Sequence, residues 1–141
     1  MNYIAPVDEM LFQLEHVCNV KKLNDYEKYK NLDITTIKTI LDEAAKLSSK
    51  TIAPINRVGD TVHPKKENDT VLCPPEFLKA YKEIAVGGWV GMSGNESFGG
   101  MDLPLVVGSC VNEMLSSACL SLALNPLMTQ GQIDALQSHA S

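Results

Sequence analysis

No lysine or arginine follows Lys82 in this 141-residue chain. Residues 1–82 hold twelve acidic and twelve basic side chains, whereas residues 83–141 hold five acidic and none basic, so the net charge of −5 sits wholly in the second part. A nucleic-acid surface needs clustered cations, and a polybasic membrane anchor needs them beside an apolar segment. Neither can be built there. Cysteine is also sparse and unpaired in sequence: Cys18, Cys73, Cys110 and Cys119 form no CxxC. With no cationic leader read at the N-terminus, a reducing, cytoplasmic setting with four buried structural thiols is expected. His16, His63 and His139 stand far apart, outside HxxxH or HExxH spacing, which leaves no metal motif. No serine sits in GxSxG; Gly91-Met92-Ser93-Gly94 fails that pattern. Nowhere does apolar/polar alternation run long enough to make a strand.

What is present is helical periodicity. Asp8 and Glu9 follow Pro6 and suit a positive helix start, and Val7, Met10, Leu11, Leu14, Val17 and Cys18 recur at helical spacing over about three turns. A polar link, residues 19–32, follows, with Tyr26 and Tyr29 available to pin it. Asp33 is an N-cap for Ile34, Ile37, Leu41, Ala44, Ala45, Ser48 and Ile52; Pro54 should kink or end that helix, and Gly59 should close the region. Pro74 and Pro75 open a third helix with Phe77, Leu78, Tyr81, Ile84 and Ala85 on its apolar face, stopped at Gly87. Pro104 starts a fourth helix to about Ser117, and a fifth runs from Leu120 to Ser138, with Pro126 as the place for a bend. The fold class is all-α: five to six helices in an up-down or orthogonal bundle, as one domain over residues 1–141.

Two regions stand out. Residues 103–128 contain sixteen apolar residues and only one charge, Glu113. A free-standing surface helix carries a polar face, so this segment expects a cover. Asn112 and Glu113 in its middle and Pro104 and Pro126 at its ends favour a buried helix pair over a membrane span. Ahead of it, six of nine glycines fall between Gly87 and Gly100. Glycine backbone can approach a phosphate, but the GxxGxxG spacing of Gly88, Gly91 and Gly94 follows no strand and lacks GK[ST]. The other reading is a helix-to-helix connection needing several positive φ values. Trp89, the only tryptophan, reads either as a core plug or as a ligand-facing aromatic, with Phe98 as its neighbour.

At this loop the sequence resembles the N-terminal helical domain of the flavin-dependent acyl-CoA dehydrogenases. Asn95-Glu96-Ser97-Phe98-Gly99-Gly100-Met101-Asp102-Leu103 is similar to the family's Pro-Glu-x-Tyr-Gly-Gly-x-Gly-Leu segment, and Asn112-Glu113 falls where the next helix carries Glu. Met128-Thr129-Gln130-Gly131, Ile133 and His139-Ala140-Ser141 resemble the end of that domain. Tyr3-x-Ala5-Pro6-Val7-Asp8-Glu9-Met10-x-Phe12, Ala53-Pro54-x-Asn56-Arg57-x-Gly59-Asp60 and Gly87-Gly88-Trp89 look like the branch that includes the methylmercaptopropionyl-CoA dehydrogenases. Asp102 in place of the family Gly would strain a left-handed position less than most residues do, and Asn95 replaces Pro.

The resemblance implies FAD as the cofactor of the intact enzyme, an acyl-CoA as substrate, α-proton removal by a carboxylate with β-hydride transfer to the flavin, and electron delivery to a flavoprotein acceptor, within fatty acid metabolism. It also implies that the middle β domain and the C-terminal helical domain with its base are not among these residues, so the chain reads as a truncated or split-gene piece. On that reading it has no catalytic residue, holds no FAD alone and is inactive alone. Leu124, Leu127, Met128, Thr129, Gln130 and Gly131 would wall the acyl chain, and Trp89, Phe98, Gly99 and Gly100 would form the active-site loop. The expected partners are the missing domains supplied by another chain, or a second copy. The rival reading is a non-catalytic helical module that oligomerises through residues 103–128.

Overall fold

A computed structural model describes residues 3–140. Met1 and Asn2, part of the leader reading, and Ser141, the end of the His139-Ala140-Ser141 match, lie outside the described residues. The all-α expectation holds. Helix α1, Val7–Phe12, runs into a π turn, Gln13–Val17. The wider turn closes with Cys18 N–H donating to the Gln13 carbonyl at 2.9 Å and shifts the helical phase. Met10 and Leu14 therefore face the core, whereas Val17 and Cys18, expected on the same stripe, are exposed.

Helix α2, Ile34–Leu47, begins where Asp33 accepts the Thr36 N–H at 2.7 Å, and Ile37, Leu41 and Ala44 give it a buried stripe. Pro54 has no N–H and crowds the turn before it. The helical path nevertheless continues, widening into a π turn at Ser48–Ile52, tightening to 3-10 at Ala53–Ile55, and resuming as α3, Asn56–Thr61. Gly59 thus lies inside a helix and does not close it. Its role is close approach: an added Cβ would collide with the Ser121 hydroxyl and lie 2.7 Å from the Phe77 ring.

Between α3 and α4 there is a hairpin that period counting passed over. β1, Lys65–Glu67, pairs antiparallel with β2, Thr70–Leu72, around an Asn68-Asp69 turn with Asn68 at φ 53°. Three-residue strands exposed on both faces carry no alternation to read; the only local signal was the Asn-Asp pair. Helix α4, Pro75–Val86, buries Ala80 and Ile84, with Phe77 and Tyr81 partly covered, while Leu78 and Ala85 are exposed. The buried face is thus rotated from the expected one.

The helical run Leu105–His139 breaks at Cys119, whose φ −161° and ψ 96° are extended. We label the halves α5 (residues 105–118) and α6 (residues 120–139). This is the expected helix pair, with the break at Cys119 and Pro126 inside α6. Asn112 Nδ2 donates to Gln130 Oε1 at 3.0 Å, whereas eighteen residues of straight helix would separate them by about 27 Å. The halves therefore fold back on each other. By length and composition the run could cross a membrane, with mean hydropathy 1.4 in its most apolar stretch; here α5 instead lays Val107, Val111, Met114, Leu115 and Ala118 into the core with α1, α2 and α4.

Candidate functional site

The glycine segment is a folded clasp between α4 and α5. Only Gly88 and Gly99 of its six glycines have positive φ, 78° and 82°, fewer than a loop of several left-handed residues would need. Gly94 and Gly100 serve close approach, since a Cβ on Gly100 would run into the Gly94 carbonyl. Two stretches are sewn together by Met101 N–H to Gly91 O at 3.3 Å, Asp102 N–H to Gly94 O at 2.9 Å and Leu103 N–H to Met92 O at 2.9 Å. The buried plug of this loop is Met92, 0% exposed, with its methyl over Gly108. Trp89 packs half-buried against the core and over Gly87.

Between the clasp and the end of α6 lies a cleft of about 670 Å3, lined by Gly91, Gly94, Asn95, Phe98, Ile133 and Leu136 among others. Phe98, 86% exposed, stands at it together with Gly99 and Gly100. Three of the four expected loop residues therefore meet at one cleft, and Trp89 does not line it. Ile133, Leu136 and Gln137, at i, i+3 and i+4 of α6, and Ala140 just past its end supply the opposite wall.

The cleft does not suit a phosphate. The amides of Gly91, Gly94, Phe98, Gly99 and Gly100 all donate to carbonyls within the loop, the Glu96 amide donates to Asp102 at 2.9 Å, and no lysine or arginine lines the walls. Its surfaces are hydrocarbon and aromatic, with the Asn95 and Gln137 amides as polar points, a composition that takes an apolar ligand or side chain.

The expected acyl wall divides in two. Leu124, Leu127 and Met128 are 49%, 43% and 66% exposed and, with Leu120 before them and exposed Gly131 after, form an uncovered stripe along α6. Thr129 is half-buried and donates to the Asn125 carbonyl at 3.1 Å. Gln130 points inward: it is buried, accepts from Asn112 and donates to the Trp89 carbonyl at 3.2 Å. One side chain thereby joins α5, α6 and the clasp.

A second cleft of about 370 Å3 lies between α3, α4 and α6, with Val62, Pro74, Phe77, Leu78 and Leu122 around Tyr81 and Asn125. Cys73 is at its edge. Contrary to the expectation of four buried thiols, Cys18 and Cys73 are exposed, Cys110 is partly buried and only Cys119 is enclosed. Burial, and then the neighbouring Glu113 carboxylate, push the Cys110 thiol above its usual range. Among the described residues no three His, Cys, Asp or Glu side chains gather as a metal site would require. His16 lies on the surface against Phe12, ring centroids 4.8 Å apart.

A clasp of glycines, an apolar cleft and an uncovered apolar helix face make up a helical domain whose homologues by sequence are acyl-CoA dehydrogenases. It is 35% identical over 136 residues, 96% of its length, to 3-methylmercaptopropionyl-CoA dehydrogenase of Ruegeria pomeroyi. It is 26% identical over 119 residues, 83% of its length, to the broad-specificity linear acyl-CoA dehydrogenase FadE5 of Mycobacterium tuberculosis. The chain spans only 23% and 20% of the length of these relatives. No protein-family model matches it. The flavin that the resemblance implies meets the same obstacle as any phosphate-bearing ligand: the lining residues of the cleft do not fit its pyrophosphate.

Proposed function

We propose that this chain is the N-terminal helical domain of an FAD-dependent acyl-CoA dehydrogenase, a cytoplasmic enzyme that oxidises the Cα–Cβ bond of an acyl-CoA thioester. Its part is to wall the acyl chain, while flavin and base are held by residues outside these 141. Identity of 35% across 136 residues carries this reading. The uncovered Leu124, Leu127 and Met128 and the lack of a phosphate-binding lining support it: the domain offers apolar surface and needs another part for the flavin. Alone, it binds no FAD and reduces no acceptor.

The test is a chimera of the Ruegeria enzyme in which this chain replaces the homologous segment. The expected result is a yellow, flavin-loaded protein that reduces a dye acceptor with an acyl-CoA, and whose KM rises about tenfold or more when Leu124, Leu127 and Met128 are changed together to serine, as losing about 1.4 kcal/mol or more of apolar burial requires. A flavin-loaded chimera without dehydrogenation, or serine variants with unchanged KM, would defeat the reading. The uncovered stripe also favours a second reading, self-association through α6. Light scattering separates the two, since a chain that stays monomeric at high concentration rules out the oligomerisation module.

A further inference from the structure

Four of the five ion pairs among the described residues are local: Glu15 with Lys21, Glu27 with Lys30, Lys38 with Asp42 and Glu43 with Lys46. The fifth joins Lys28, in the link between α1 and α2, to Asp102 at the end of the glycine clasp. Asp102 has a left-handed backbone, φ 50°, and its side chain is only 17% exposed. Both carboxylate oxygens are used. Oδ2 accepts the Glu96 N–H at 2.9 Å, and Oδ1 has the Lys28 ammonium as its sole partner. Asn95 Oδ1 accepts the Ser97 N–H at 2.8 Å from the other side, so the turn Glu96–Phe98 that carries Phe98 is held by two side chains.

The cation comes from a pre-shaped support. Asn24 Nδ2 donates to the carbonyls of Tyr29, Lys30 and Leu32 at 2.9, 3.1 and 3.0 Å, fixing the link on either side of its turn Glu27–Tyr29. This carboxamide, and not Tyr26, which is 65% exposed, organises the segment. The Lys28 ammonium also sits 5.5 Å from the centre of the Tyr29 ring. Because residues 83–141 contain no lysine or arginine, a cation for Asp102 within this chain has to be brought from the first part.

We infer that Lys28 and Asp102 form an ionic latch that holds the Glu96–Phe98 turn in place and thereby fixes the loop-side rim of the cleft bearing Phe98, Gly99 and Gly100. Asp102 does three things there: it takes the left-handed backbone angle, caps the turn and accepts the cation. The latch stands whether or not the cleft receives an acyl chain.

The experiment is amide hydrogen exchange by NMR on the full chain, comparing wild type with Lys28→Met, Asp102→Asn, the double variant and Lys28→Arg. Asparagine keeps an acceptor for Glu96 and tolerates the left-handed angle, so it removes only the charge. At low salt Lys28→Met should speed exchange at Glu96, Gly99 and Gly100 by about two- to fivefold, the range of a partly exposed pair, and leave Leu41 and Val111 unchanged. The double variant should be no faster than either single one, Lys28→Arg should restore protection, and salt near 1 M should shrink the difference. Loop exchange unchanged by Lys28→Met, additive effects of the two substitutions, or equal acceleration in α2 and α5 would overturn the latch.

Discussion

Gln130 separates a wall residue from a structural one. Changing it to alanine deletes the bond from Asn112 and the bond to the Trp89 carbonyl at a site only 7% exposed. Each such bond contributes about 1 kcal/mol net, and a buried group left without a partner costs about 1–3 kcal/mol more. Asn112 is partly exposed and can turn to water, so the larger penalty falls on the Trp89 carbonyl. The sum is about 3–5 kcal/mol, or a Tm lowered by about 10–17 °C for a chain of this length. Leu127→Ser, three residues earlier on the uncovered face, should cost less than about 1 kcal/mol. Urea unfolding followed by far-UV circular dichroism and Trp89 fluorescence measures both. A Gln130→Ala variant within about 0.5 kcal/mol of wild type, or a Leu127→Ser loss of equal size, would refute the inward placement of Gln130 and the α5–α6 staple built on it.

Thiol labelling under native conditions should modify Cys18 and Cys73 rapidly, Cys110 slowly because burial and Glu113 raise its thiol above the usual range, and Cys119 only on unfolding; early labelling of Cys119 would contradict the core. Gly100→Ala has backbone in its way and Gly99→Ala has open space but φ 82°. The first should therefore cost more than the second, for which about 1–2 kcal/mol is expected, and a reversed order in thermal melts would contradict the clasp. Lys28 and the Glu96 amide hold the Asp102 carboxyl below its ordinary value of 3.8. A depressed acid contributes fully above its unfolded value and loses that contribution as pH falls through the folded one. Loop protection should thus hold at about pH 5 and decline below about pH 4. Asp33 and Glu15 are depressed too, so the Asp102→Asn variant isolates the share of Asp102 by lacking it; identical acid profiles would refute the assignment.

Local chemistry was legible in the sequence. Asp33 capped its helix, Pro75 opened one, and the residues between Ser117 and Leu120 broke one, because each acts through neighbours a few positions away. Phe98, Gly99 and Gly100 stand together in one motif, and the structure brings all three to one cleft. Features that depend on distant partners were not legible: a cap looks the same whatever it faces, but the direction of Gln130 depends on Trp89, 41 residues back. Met92, a flexible thioether with its methyl beside Gly108, is the fully buried plug, while Trp89 packs only half-buried against the core. With no lysine or arginine after Lys82, a lysine or arginine partner for Asp102 within the chain has to come from at least twenty positions away, and nothing in composition selects Lys28 from twelve candidates. The π turn after α1 moved Val17 and Cys18 out of the core, and a 3.6-residue count cannot foresee an inserted residue.

The fold-back at Cys119 also orders events in time. Bringing Asn112 to Gln130 closes eighteen residues of chain, whereas bringing Lys28 to Asp102 closes about 74, at an extra entropic cost of about 1.3 kcal/mol. The helical hairpin is therefore expected to form early and the ionic contact after the transition state, so that Lys28→Met leaves the refolding rate unchanged in stopped-flow traces and appears only as faster unfolding. A slower refolding limb would place the contact earlier. With the contact late, the rim of the cleft acquires its final shape after the helical hairpin has formed.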